Sequence, residues 1–249
     1  MYVFRASKTQ RCTALVRKGV TFDTGRISLK PSAWMKLMRG DMGRAAAVCS
    51  AALAVAQLGL RINLKVLTSL CEKMPGPSAN KPGGIVYAMN GKSVDNTNAG
   101  ARLVLGDALY YGSTMFKPQS WTSPRRSSRA MSVALGEAFT GVFTNSDSLW
   151  RKLGRAGARE QDRFWRMPLD DEYGPQIHSS NADLCNIGGR AAGSCTAALF
   201  LKAFVDGVDP AEDGATAAVR SAHLDIAGTI ETTRGYAYQD KGLTGRPTR

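Results

Sequence analysis

The chain is short of the residues from which most metal and nucleophile sites are built. It has two histidines, His178 and His223, among 249 residues, which nearly excludes a histidine-rich zinc site. It contains no HExxH, P-loop or GxSxG motif. The five cysteines, Cys12, Cys49, Cys71, Cys185 and Cys195, are odd in number, widely spaced and without a CxxC pair. Free thiols in a reducing compartment are expected. Long apolar runs are missing too. The longest near-apolar stretch, 45–60, is interrupted by Ser50, Gln57 and Gly59. It falls short of the ~20 residues a spanning helix needs, so a membrane is not expected as a partner. The first eight residues have no apolar h-region, which argues against a secretory signal.

Acidic residues are scarce, with 20 Asp and Glu against 33 Lys and Arg, a formal net charge of +13. Such a balance suggests nucleic acid or an anionic surface. The alternative is that basic residues have accumulated without a binding role. The second is favoured, because Arg17, Arg26, Arg44, Arg126 and Arg129 form no stripe with interleaved aromatics of the kind single-strand binders use. Hydrophobic residues make up 43% and charged residues 21%, which fits a globular chain rather than a disordered one. The length suits one sizeable domain.

Along the chain, residues 13–16 form a short apolar run that reads as a buried strand, leading into a loop at 18–25 rich in turn formers. Residues 41–58 are alanine-rich without proline and predict a helix. Residues 62–70 are aliphatic and of strand length, and 85–89 form another short strand. Helices are predicted over 99–111, 149–158, 171–179 and 191–205. Residues 223–228 predict a strand ending at a turn, and 206–221 a polar surface insertion. Strands alternating with helices imply an α/β fold with a mostly parallel central sheet flanked by helices. Ligands of such sheets bind beyond the carboxyl ends of the strands.

Residues 96–103 read Asn96-Thr97-Asn98-Ala99-Gly100-Ala101-Arg102-Leu103. This closely resembles the NTDAEGRL signature of the leucyl aminopeptidase (cytosol aminopeptidase) family. Further stretches match in the same order: Lys18-Gly19-Val20-Thr21-Phe22-Asp23-Thr24-Gly25, Met38-Arg39-Gly40-Asp41-Met42-Gly43, Asp162 to Leu169, His223 to Gly228 and Gly242 to Arg249. The run from Met74 to Tyr87 looks closest to the eukaryotic, fungal-like branch. The resemblance implies that 1–249 is a catalytic domain, with the family's N-terminal domain and C-terminal helix absent. It implies metal-dependent removal of N-terminal residues from peptides, a cytoplasmic location and a homo- or hetero-hexamer.

By the same resemblance, Lys18, Asp23 and Asp41 match metal ligands, and Asn98 and Gly100 stand where the family has an aspartate and a glutamate that also bind metal. Lys30 matches the lysine that polarises the scissile carbonyl, and Arg102 the arginine that holds a bicarbonate. Met38 and Ala227 match substrate-binding positions. The implied cofactor is a divalent metal, manganese or zinc. The chemistry explains these types: hard cations need oxygen ligands, a paired-metal site makes a nucleophile of water, and fixed cations stabilise developing negative charge. With both signature carboxylates lost, metal affinity is expected to be weak or partial and the enzyme impaired or inactive. Two alternatives stay open: an active metalloaminopeptidase with an altered site, and a non-catalytic assembly or binding subunit.

Other departures point the same way. Arg26 and Arg44 stand where the family has glycine, and Trp34 where it usually has a smaller residue. Arginine at 26 or 44 would be costly if the backbone there needs positive φ; otherwise all three side chains point into solvent at little cost. Residues 120–129, Ser-Trp-Thr-Ser-Pro-Arg-Arg-Ser-Ser-Arg, fall where the family has an apolar strand. A polar run with a proline is not expected to make a central strand, so poor stability is predicted. With codons CAG TCG TGG ACG TCG CC for Gln119 onward, reading from the final G of CAG gives Val-Val-Asp-Val-Ala. A local frameshift and a genuine Arg/Ser-rich surface loop are the two explanations.

Overall fold

The computed structural model describes residues 2–4, 12–97, 100–125, 129–210, 217–235, 237 and 239–246. Twelve strands are described: β1 (Tyr2–Phe4), β2 (Thr13–Asp23), β3 (Leu64–Lys73), β4 (Val86–Tyr87), β5 (Ser93–Asp95), β6 (Ser120–Arg125), β7 (Thr140–Thr144), β8 (Phe164–Arg166), β9 (Leu184–Cys185), β10 (Arg220–Asp225), β11 (Glu231–Thr232) and β12 (Gly242–Leu243). The helices are α1 (Ser32–Met35), α2 (Gly43–Gln57), α3 (Gly100–Phe116), α4 (Arg129–Leu135), α5 (Asp147–Glu160) and α6 (Gly193–Lys202), with 3-10 helices at Lys36–Gly40 and Asp171–Ile177. No described helix is long and apolar enough to cross a membrane.

Seven strands form the central sheet in the order β1-β3-β2-β6-β10-β7-β8. The neighbours β3-β2, β2-β6, β6-β10 and β7-β8 run parallel, while β1 and β7 pair antiparallel with β3 and β10. The expected mostly parallel α/β sheet is therefore present. On one face, Val16 and Leu67 of the sheet pack with Leu105 and Leu109 of α3 and with Phe200 and Phe204 at α6. On the other, Leu64 and Val66 pack with Val48 of α2, and Val142 and Leu224 with Leu149 and Leu153 of α5. Both faces are covered, as a parallel sheet requires.

Four expectations are corrected. The short strand at 13–16 and the loop at 18–25 as far as Asp23 form one eleven-residue strand, β2, with a register irregularity between Val20 and Asp23. Lys18 and Asp23 thus lie on a strand, because each finds a buried partner and need not reach solvent. The helix predicted at 171–179 is a 3-10 helix interrupted by Pro175, which has no N–H to donate. The insertion predicted at 206–221 is not wholly superficial: Val208 is buried, and Arg220 and Ser221 begin β10. Residues 211–216 lie outside the described residues.

The polar run 120–129 gives the largest correction. Ser120–Arg125 is a central strand, paired in parallel with β10 along its length and with β2 over Ser120 to Thr122. It is not a surface loop. Pro124 falls after β2 has parted from β6, where only one paired neighbour remains, so its missing N–H is tolerable there. The run still leaves polar atoms inside. Ser123 is fully buried, and its Oγ, like the Trp121 Nε1, has no hydrogen-bond partner among the described residues. An unpaired buried hydroxyl costs ~1–3 kcal/mol. Ser123→Ala should therefore stabilise the chain by about 1 kcal/mol, read as a raised midpoint in urea unfolding.

Candidate active site

The carboxyl ends of β2 and β3 lie side by side, with Asp23 opposite Lys73 in the register. The Lys73 carbonyl accepts hydrogen bonds from the Thr24 backbone N–H at 2.9 Å and from the Thr24 hydroxyl at 2.8 Å. These bonds fix the two strand ends to each other. The chain then turns tightly over 24–30 and is closed by Lys30 N–H donating to the Thr24 carbonyl at 2.9 Å. Gly25 makes that turn possible. Its φ is +94°, and a Cβ there would stand 2.3 Å from the Ser28 carbonyl oxygen.

Asp23 is the centre of the site. Its Oδ1 accepts from the Lys73 ammonium at 3.0 Å and from the Gly25 N–H at 2.9 Å. Its Oδ2 lies 2.9 Å from the Lys30 ammonium. Burial pushes the carboxyl up, but the hydrogen bonds from Lys30 and Lys73 outweigh it and hold the group at about 2 against an ordinary 3.8. Farther back on β2, Lys18 Nζ pairs with Asp41 Oδ2 at 2.5 Å, both side chains buried. Asp41 follows the 3-10 helix Lys36–Gly40, and its N–H donates to the Met38 carbonyl.

The predicted residues are thus partly gathered. Lys18 within β2 pairs with Asp41, and Asp23 at the end of β2 pairs with Lys30. Gly100 opens α3 against the same place: a Cβ on it would lie 3.3 Å from Lys73 Cε and 3.5 Å from both Lys73 Nζ and Arg26 Cζ. Arg102 has a different set of contacts. It is buried, donates to the Asn186 carbonyl, and lies over the Phe200 ring at 5.6 Å. Burial lowers the Arg102 guanidinium to about 10, opposed by the charges of Asp225 and Cys185. Met38 is half-buried, and Ala227 is buried beside Met131, Phe143 and Cys195. Asn98 lies outside the described residues, as do the side chains of Trp34 and Arg44.

Two participants were not predicted. Lys73 is among the largest fully buried side chains, 2% exposed. A charge closing an aliphatic run was its one signal in the sequence, and nothing there placed it against Asp23. Arg26, at the position where the resemblance expects glycine, has a left-handed φ of +67°. It is half-buried and faces Gly100 rather than open solvent.

The cytosol aminopeptidase family, catalytic domain, matches residues 2–249. The chain belongs to this family. It is 51% identical to the cytosol aminopeptidase of Homo sapiens and 49% identical to that of Dictyostelium discoideum, each over 94% of this chain and 44% of the relative. It therefore spans less than half the length of these relatives. Among solved structures, the bottromycin maturation enzyme BotP matches with a TM-score of 0.85 and 32% identity, over 99% of this chain and 51% of that one.

Aminopeptidases of this family depend on metal, and the donor set here fits a divalent cation poorly. Among the described residues no three His, Cys, Asp or Glu side chains gather as ligands. Asp23 and Asp41 are both engaged by lysines, whereas hard cations take about six oxygens. A carboxylate has roughly four acceptor positions, and three of those on Asp23 are taken.

The Asp23 pairing should be visible in stability. Its folded pKa lies below the unfolded one, so its contribution is complete above about 3.8 and is lost as pH falls towards 2. Asp23→Asn should flatten this part of the acid-unfolding profile. It should also cost ~3–5 kcal/mol near neutral pH, because Lys73 loses its buried counter-charge. Urea unfolding between pH 7 and pH 2 measures both effects.

Proposed function

We propose that this chain is a cytosol aminopeptidase catalytic domain whose metal-dependent removal of N-terminal residues is impaired or absent. One observation supports this most: the Asp23 carboxylate is held by two ammonium groups and a backbone N–H where a metal would need its oxygens. The loss of acidic side chains at 98 and 100 agrees with it. Any manganese or zinc binds weakly, at no more than one ion per chain, around Lys18, Asp23 and Asp41. Arg102, engaged by the Asn186 carbonyl and Phe200, is poorly placed to hold a bicarbonate. The substrates are N-termini of peptides in the cytoplasm.

Two measurements test the reading. Calorimetric titration with Mn²⁺ and Zn²⁺ should give no tight site. Hydrolysis of leucine-p-nitroanilide should run at least ~100-fold below an intact relative, since even outer-shell changes cost 10–100-fold. Two tight sites per chain, or turnover at the level of the relative, would refute it.

A second reading is assembly without catalysis, with this copy joining hexamers of intact subunits. The exposed apolar side chains Leu53, Leu58 and Leu60, on and just after α2, favour it. Co-expression with an intact, differently tagged family member should give mixed oligomers by tandem purification, and Leu53→Glu with Leu58→Glu should abolish them. Separate elution of the two proteins would exclude this reading.

A further inference from the structure

We infer that Lys73, assisted by Arg26, is a built-in cation that takes the place of the metal beside Asp23, so that restoring the two acidic signature residues does not by itself restore metal binding. This deepens the reading above and rests on it. Missing ligands alone would leave a vacant, negatively charged pocket. The structure contains something different.

The Lys73 chain crosses from β3 into the room beside Gly100, and its ammonium reaches Asp23 Oδ1. Arg26 closes the same space from the turn after β2, its Cζ 3.5 Å from where a Cβ on residue 100 would be. Lys30, Lys73 and Arg26 set three cations around the single carboxylate of Asp23. A divalent cation entering there would meet an ammonium on that carboxylate and a guanidinium beside it. A glutamate introduced at 100 would emerge against Lys73 and Arg26. With opposite charge in that close range, it would pair with them rather than bind metal. Neither strand end can yield easily, because the Lys73 carbonyl is bound twice by Thr24.

The experiment compares Mn²⁺ binding by calorimetry in four proteins whose folding is checked by circular dichroism. They are the wild type, Asn98→Asp/Gly100→Glu, and that pair combined with Lys73→Gln or with Arg26→Gly. The wild type and the double variant should show no tight site. Adding Lys73→Gln should raise affinity at least about tenfold, the scale on which groups around a metal act. Arg26→Gly should also raise it, in a background that relieves a left-handed non-glycine residue and so folds even if the Lys73 variant does not. If the double variant binds as tightly as both combinations, the inference is overturned while the impaired-site reading stands. If the wild type itself binds two ions tightly, the impaired-site reading fails first.

Discussion

The site depends on one constraint: a carboxylate buried at the end of a central strand must have positive charge against it. Asp23 cannot relax into water, because β2 continues to it and the turn after it is closed by Gly25 and the Thr24–Lys30 hydrogen bond. A buried charge left unpaired is among the most expensive defects a fold can contain. Lys30 and Lys73 remove that defect from two sides. Their hydrogen bonds more than offset the desolvation that would otherwise raise the carboxyl. Compensation of the Asp23 charge is a condition of folding before it is a matter of catalysis.

The same separation between scaffold and chemistry runs through the sheet. Backbone pairing places β6 between β2 and β10 although its sequence is polar. Parallel ladders are made by backbone groups, so side-chain chemistry can depart from the expected pattern while the topology stays. The departure is felt locally, as a buried serine hydroxyl and an indole N–H without partners. Arg17 on β2 is also buried. Fold and family are kept with a polar strand inside the sheet.

Much of this was legible in the sequence. The ordered matches around Lys18, Asp23, Asp41 and the 96–103 signature disclosed the family, and the alternation of apolar runs with helical segments disclosed the α/β sheet. Element ends were less legible. The end of β2 reads as a loop because Gly19, Asp23 and Gly25 are turn formers by composition, and only tertiary pairing makes a charged strand end tolerable. Proline and serine weaken β6 as a strand on propensity alone, whereas its position between two parallel neighbours overrides propensity. Lys73 was invisible for a different reason. Its importance depends on the register of β3 against β2, and register across a helical crossover is set by packing rather than by local sequence.

Lys73 and Gly100 are best understood together. A side chain on residue 100 would start within 3.5 Å of the Lys73 ammonium, and Lys73 fills its space as one of the most deeply buried side chains of the protein. A glutamate at 100 serving a metal and a lysine reaching Asp23 through the same space are therefore alternatives. Each satisfies the negative charge of Asp23, one through an ion that must be captured from solution, the other through a cation covalently part of β3. The second is always present and needs no further ligand. It also leaves no open coordination position, and an open position is what a hydrolytic metal site requires. The arrangement that best secures Asp23 within the fold is thus the one least suited to the family's chemistry.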